Sequence, residues 1–418
     1  MTRRDDHPGT PEHPAAASPP APSAASAPGV SAPPSAASPS AAGAPVGRSA
    51  TSASPASGAP SSSSGASGGP SAAAAADPSG RARARELGVV VGRLPTGPLN
   101  AITDVEGVLV GHTTIDDGAD LHTGVTAIVP EQLFSTWRLP AAVHVGNGYG
   151  KLIGSTQIDE LGVLESPIVL TGTLSVYRAA DALLSYVMRR RPDGLSFNCV
   201  AGETNDGYLS DIRRRLITER HVLDALEGAS GGQPGEGCVG AGTGTTALGF
   251  KAGIGTSSRR LEVEGGVPVT TGALVQANFG GVLTVQGVPM PAAELIPGAD
   301  GAEPPGNSCM IVVATDAPLD ARRLGRLARR AIFAMGRVGA SYSHGSGDYA
   351  IAFSTAPPQV PLLPDEALTP VFAAVMDAVE EALLNALFKA TTTTGYQGHV
   401  SHAVPYDRLL HRLHRQRP

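Results

Sequence analysis

The sequence predicts an α+β fold in which helices pack outside paired β-sheets. Blocks rich in β-branched residues are punctuated by Gly and Asp, as is typical of short strands. Segments with apolar residues three and four positions apart, which indicate amphipathic helices, lie between these blocks. Helices and strands do not alternate regularly enough for a doubly wound or barrel fold, so the segregated pattern favours layered α+β architecture.

The N-terminal part differs in composition from the rest of the chain. Residues 1–83 are almost entirely Ala, Pro, Ser and Gly. Such a segment has too little aliphatic and aromatic surface to offset the entropy of ordering. We therefore predict a disordered tail over 1–83 and a folded region over 84–418, which is long enough for one large domain or two ordinary ones.

Composition also limits the partners. The formal net charge of −6 gives no electrostatic reason to expect a nucleic acid. No signal peptide is completed and no run of 18 apolar residues occurs, so we expect no membrane partner and a cytoplasmic location. The three scattered cysteines predict no disulfide framework or zinc site. The histidine pairs have no carboxylate or cysteine partner at ligand spacing, so we expect no metal.

The first half of the folded region predicts this order of elements. Alternating β-branched residues indicate strands within 97–115 and 122–130. A short helix leading into a strand follows within 150–170. Apolar residues at helical spacing then predict a helix over 175–190, followed by a strand within 195–203 and a helix over 213–227.

The second half begins with a glycine-rich segment, 237–258, and a β-rich block, 261–289. The glycines resemble a phosphate cradle but lack the lysine and spacing of a P-loop, so we interpret them as tight turns with close backbone packing. A strand over 309–315, a helix over 319–337, a strand over 349–354 and a helix over 365–389 complete the order. The arginines of 319–337 flank an apolar stripe, which favours a solvated face over a nucleic-acid patch.

Asn307 and Ser308 stand where a loop rich in Gly and Pro meets an apolar strand. Such a pair is commonly only a turn, because both side chains can bond to their own backbone. If the chain bends so that the Ser308 hydroxyl faces the Asn307 carbonyl, the hydroxyl can attack it and form an ester that water cleaves. Cleavage would leave a terminal amine of pKa about 7.7–8.0 beside the hydroxyl, which suits proton transfer.

Other polar residues stand at the ends of predicted strands. Ser346 and Asp348 are two apart, so both can point to one side and relay a proton, or they can cap a turn. Asn278 interrupts an apolar stretch, where its amide could donate to an oxyanion or satisfy a structural bond. Glu203 begins an acidic loop that could pair with a substrate ammonium or cap the next helix.

Taken together, these motifs resemble a known family. The stretches are GNSCMIVVATDAPL, SHGSGDYAIAFST, VQANFGG, AGETNDG and ATTTTG. In these relative positions they resemble the self-processing serine aminopeptidases of peptidase family S58, which include the L-aminopeptidase/D-Ala-esterase/amidase and the β-peptidyl aminopeptidases. The similarity spans about residues 84 to 405.

The resemblance implies a four-layer α-β-β-α sandwich and cleavage between Asn307 and Ser308, giving an α chain of 1–307 and a β chain of 308–418. It implies a homo-oligomer, a tetramer of such α/β pairs, that hydrolyses small peptides, amides or esters without a cofactor. Two departures are Asp348, where some relatives have Glu, and Asn205, near which some have Tyr.

By the same resemblance, Ser308 is the nucleophile, and Ser346 and Asp348 assist proton transfer. Asn278 stabilises the oxyanion and Glu203 binds the substrate's N-terminal ammonium. Two alternatives remain open: an acyltransferase of related fold, and a noncatalytic protein that binds a small molecule at the glycine-rich segment.

Overall fold

The computed structural model describes residues 80–263, 265–297 and 307–416. The predicted tail over 1–83 therefore lies almost wholly outside the described residues and stays a prediction. Contacts with the folded region are already made at Arg81, whose guanidinium donates to the carbonyls of Phe388 and Val404, each at 2.9 Å. The chain is thus held against the folded region from this arginine onward.

The strands are β1 Val108–Asp116, β2 His122–Pro130, β3 Leu139–Gly148, β4 Leu152–Ile153, β5 Val163–Leu164, β6 Ile168–Gly172, β7 Val200–Thr204, β8 Thr246–Ala247, β9 Phe250–Lys251, β10 Ile254–Val263, β11 Val267–Asn278, β12 Thr284–Val285, β13 Val288–Pro289, β14 Ser308–Thr315, β15 Gly347–Ser354, β16 Thr393–Thr394 and β17 Val400–Ser401. The α-helices are α1 Leu133–Thr136, α2 Ser155–Leu161, α3 Val176–Arg190, α4 Glu219–Glu227, α5 Ala292–Leu295, α6 Ala321–Arg337, α7 Leu368–Phe388 and α8 Tyr406–Gln416.

Two large sheets form the centre of the described region. The first has five strands in the order β1-β2-β6-β7-β4, and the second has six in the order β10-β11-β14-β15-β3-β5. Most neighbours run antiparallel, while β6 pairs with β7 and β14 with β15 in parallel. Every residue of β14 is buried, as expected for a strand covered on both faces.

Three apolar clusters show how the layers stack. Helices α3 and α4 cover the outer face of the first sheet through residues such as Leu183 and Val222. The facing sides of the two sheets meet through Leu170 of the first and Val312 of the second. Helices α6 and α7 cover the outer face of the second sheet. The predicted α+β class and four-layer α-β-β-α sandwich are confirmed.

Three local predictions differ from the structure. The helix predicted over 213–227 is wrong before Glu219: a 3-10 turn ends at Arg214, Arg215 has the left-handed φ of 47°, and α4 begins after Thr218. The first strand begins only at Val108, after a 3-10 turn over Ile102–Asp104. Strand β3, which pairs with β15, was not predicted.

A buried ion network fixes the N-terminal segment against α7. The carboxylate of Glu381 lies 2.7 Å from the Arg259 guanidinium and 2.9 Å from that of Arg85. The side chains of Glu381 and Arg259 are almost fully buried, and burial lowers the pKa of Arg259. Glu381 and Arg259 depend on each other for charge compensation, because water reaches neither of these two side chains.

We expect Glu381→Gln to lower the free energy of unfolding by about 3–5 kcal/mol, because it leaves a guanidinium buried without a counter-charge. The matched control is Glu219→Gln, which removes a carboxylate that is half exposed beside Arg189 and should cost less than about 1 kcal/mol. Denaturant unfolding of both variants measures the difference. Equal losses would contradict the assigned role of Glu381.

Candidate active site

Ser308 is the first residue of β14 and is only 4% exposed. Its hydroxyl donates to the carbonyl oxygen of Asn307 at 2.6 Å. The backbone N–H of Gly347 donates to the same oxygen at 3.2 Å. The carbonyl that precedes Ser308 is therefore held and polarised by two donors, one of which is the predicted nucleophile.

The position of Ser308 is set by pairing on both edges of β14. Ser308 is opposite Asn278 of β11 on one side and opposite Gly347 of β15 on the other. A side chain could not be placed at Gly347, since an added Cβ would lie 2.6 Å from the backbone of Gly150. The glycine lets the segment around Gly150 pass directly over the strand that neighbours Ser308.

Asn278 ends β11 and is 2% exposed. Its side-chain oxygen accepts from the backbone N–H of Thr246 at 3.0 Å. This bond identifies which end of the amide is the oxygen, so the other end is the NH₂ group, which can donate. Thr246 comes from the glycine-rich segment, where an added Cβ at Gly242 would lie 2.4 Å from the nitrogen of Ile254. The interpretation of those glycines as tight turns with close packing is confirmed.

The hydroxyl of Ser346 donates to Asp348 at 2.8 Å, and both residues are buried. Burial raises the pKa of Asp348, while hydrogen bonds from Ser346 and Asn147 lower it by less. The pair forms as the two-residue spacing predicted. In the ladder, however, Asp348 is opposite Cys309, one position beyond Ser308.

Since side chains alternate along a strand, Asp348 projects from the opposite face of the sheet to Ser308. Within the described ranges, neither Ser346 nor Asp348 forms a hydrogen bond to the Ser308 hydroxyl. Their predicted part in proton transfer therefore stays a prediction.

Glu203 lies near the end of β7, on the first sheet, and is 1% exposed. One carboxylate oxygen, Oε1, accepts from the Lys151 backbone N–H at 2.9 Å and lies 3.4 Å from the Lys151 ammonium. An added Cβ at Gly150 would lie 3.1 Å from this oxygen and 3.1 Å from the Gly347 Cα. Glu203 therefore lies beside the Gly347–Ser308 pair.

The other acidic residues of the loop have different surroundings. Asp206 is buried and accepts from the Thr123 hydroxyl, and burial raises its pKa to about 6. Asp211 accepts from the Arg213 N–H and caps the short 3-10 turn, as the capping alternative predicted for this loop. His344 is exposed, and among the described residues it forms no hydrogen bond with Ser308.

Four neighbours of the site were not found from the sequence. Lys151 contacts Glu203, Thr246 holds Asn278, and Asn147 donates to the carbonyls of Tyr342 and Ser343. The fourth, Ser343, accepts from the Asn307 amide at 2.9 Å. The glycines of GNGYGK, residues 146–151, were the available signal, because clustered glycines mark close backbone approach.

No helix in the described ranges is long and apolar enough to cross a membrane. Those same residues contain no cluster of three His, Cys, Asp or Glu side chains arranged to hold a metal ion.

Comparison with known proteins identifies the family. The sequence model of peptidase family S58 matches residues 100–401. The beta-peptidyl aminopeptidase BapA of Sphingosinicella microcystinivorans is 37% identical over 360 residues, covering 78% of this chain and 90% of that protein. The BapA of Sphingosinicella xenopeptidilytica is 39% identical over 362 residues, with the same coverage of 78% and 90%.

Solved structures agree with this assignment. A beta-aminopeptidase from Burkholderia sp. is similar with a TM-score of 0.72 and 37% identity, covering 81% of this chain and 100% of that one. The L-aminopeptidase D-Ala-esterase/amidase of Ochrobactrum anthropi is described as a prototype serine aminopeptidase with a variant of the Ntn hydrolase fold. Its TM-score is 0.74 at 37% identity, covering 80% of this chain and 98% of that one. The predicted family is therefore confirmed, and this chain belongs to peptidase family S58, a hydrolase family of aminopeptidases with an N-terminal nucleophile.

Proposed function

We propose that this chain is a self-cleaving serine aminopeptidase, amidase and esterase that releases N-terminal residues through an acyl-enzyme on Ser308. The 2.6 Å contact between the Ser308 hydroxyl and the Asn307 carbonyl carries the proposal, because it places the nucleophile beside the peptide bond to be cut. The names of the curated relatives favour peptides that begin with a β-amino acid residue.

Self-cleavage begins when Ser308 Oγ attacks the carbonyl carbon of Asn307. The C–N bond breaks, the serine nitrogen takes up the hydroxyl proton, and an ester joins Asn307 to Ser308 Oγ. Water then hydrolyses the ester, leaving a carboxylate on Asn307 and a free amine on Ser308. The Gly347 N–H, 3.2 Å from the carbonyl oxygen, is placed to stabilise the charge on that oxygen during the attack.

In the mature enzyme, the same hydroxyl attacks the carbonyl carbon of the substrate's first residue. The Ser308 α-amine accepts the hydroxyl proton and returns a proton to the leaving amine or alcohol, and water then releases the acyl group. Asn278 donates to the oxyanion through its NH₂ group, since its oxygen is held by Thr246. Glu203 binds the ammonium of the substrate.

The Ser346–Asp348 pair acts on the amine rather than on the hydroxyl. The Ser308 nitrogen lies in the plane of the sheet, at the end where Gly347 begins β15 directly after Ser346. A carboxylate whose pKa is raised by burial can share a proton with this amine through Ser346. We further propose that the α chain 1–307 and β chain 308–418 stay paired, and that the pairs form a tetramer.

We expect the purified protein to give two chains that meet at Asn307 and Ser308 when its intact mass is measured under denaturing conditions. Ser308→Ala should give one uncut chain and no hydrolysis, because it removes the hydroxyl that is proposed to start the attack. The matched control is Ser341→Ala. It removes an exposed hydroxyl in the segment that precedes β15 and should leave processing complete.

Processing of Ser308→Ala at the same bond would refute the assignment of Ser308 as the nucleophile. Equal loss of processing in Ser341→Ala would show that the loop, rather than the Ser308 hydroxyl, controls the cut. The thermal midpoints of both variants confirm that each is folded.

For Asn278→Ala, we expect matured enzyme to lose about 10²–10³-fold in kcat, because one oxyanion donor is removed. KM should change much less, since the donor acts on charge that develops only in the transition state. Asn198→Ala removes an amide that bonds Glu165 and serves as the control with kcat near that of the parent. A change confined to KM would contradict the oxyanion role.

A further inference from the structure

The proposed ammonium site already contains a cation. The Lys151 ammonium lies 3.4 Å from Glu203 Oε1 and 2.8 Å from the Thr173 hydroxyl. The Lys151 side chain is 37% exposed, whereas that of Glu203 is 2% exposed. The lysine therefore reaches the buried carboxylate from the side that faces solvent.

The second carboxylate oxygen of Glu203 differs from the first in its hydrogen bonding. Oε2 is buried and has no hydrogen-bond partner among the described residues. A buried carboxylate oxygen without a donor is unfavourable, so this atom is where an added ammonium gains most. The carboxylate thus offers one oxygen to Lys151 and the other to a bound molecule.

The charges of such a complex decide which molecule fits. A substrate that brings only an ammonium leaves two cations sharing one carboxylate. Two unit charges 4 Å apart repel by about 4 kcal/mol at the effective dielectric of a protein surface. A substrate that also brings a carboxylate would place it against Lys151 and Thr173, and positive and negative groups would then alternate.

We propose that the Lys151–Glu203 pair recognises a zwitterionic head and that β-aspartyl peptides are the preferred substrates. In these peptides the ammonium and a carboxylate share one carbon, which is separated from the scissile carbonyl by one methylene group. A β-alanyl peptide has the same spacing but no carboxylate. Lys151 is thus assigned as a specificity-determining residue; the inference rests on the proposed function, with Ser308 as nucleophile.

The test measures kcat/KM of matured wild-type enzyme and Lys151→Met for β-aspartyl-leucine and β-alanyl-leucine. We expect the wild type to prefer the β-aspartyl peptide by at least about tenfold, as one charge-assisted hydrogen bond allows. Lys151→Met should lower kcat/KM for β-aspartyl-leucine and raise it for β-alanyl-leucine, because the competing cation is gone. Lys151→Arg should keep the preference for the β-aspartyl peptide.

The control is Arg189→Met, which removes an exposed cation paired with Glu219 and should leave the ratio of the two kcat/KM values unchanged. A wild-type preference for β-alanyl-leucine, or an equal effect of Lys151→Met on both peptides, would overturn the inference while leaving the proposed function intact. If fully cleaved enzyme hydrolysed neither peptide nor any other amino-acyl amide or ester, the proposed function would fail and this inference with it.

Discussion

The pairing of β14 along both of its edges is the constraint on which the site depends. Ser308 is the first residue of that strand, and it is fixed opposite Asn278 on one side and Gly347 on the other. A slip of one residue would turn every side chain of the strand to the other face and move the Asn307 carbonyl away from the Gly347 N–H. Such a slip is opposed by burial on both faces, because alternate residues of β14 pack between the sheets and under α6 and α7.

The same ladder divides the polar groups between two faces. Asn278 is in register with Ser308 on one edge of β14. On the other edge Ser308 is in register with Gly347, and Gly150 lies between Gly347 and Glu203. Asp348 is one step along and projects toward the helices, where burial raises its pKa. The backbone nitrogen of Ser308 belongs to neither face, and in the proposed mechanism it is the atom that links the hydroxyl on one face to the Ser346–Asp348 pair on the other.

Sequence patterns predicted the structural features that depend on residues close together in the chain. Helix α6 was found because its apolar residues recur at helical spacing, and strands β14 and β15 were found because each is a short, largely apolar run that follows a turn-forming segment. The Ser346–Asp348 bond follows from a spacing of two. Strand β3 was missed because half of it is Gly, Ala and Pro, and the helix predicted from 213 failed because Arg215 adopts a left-handed turn. The contact between Lys151 and Glu203 joins residues 52 positions apart, and that between Thr246 and Asn278 joins residues 32 apart. Such long-range contacts are set by the packing of the two sheets, which no local pattern contains.

Sheet order also bears on what cleavage would do to the molecule. Strands β14 and β15 follow the proposed cut, yet they lie between β11 and β3, which precede it. Both edges of this two-strand unit are hydrogen-bonded to the other chain, and the clusters on both faces contain residues from before and after Ser308. The two chains therefore cannot separate without breaking the second sheet at two places. The constraint also works in reverse: Asn278, Ser308 and Gly347 meet only after both ladders have formed, so the proposed self-cleavage would require a folded precursor.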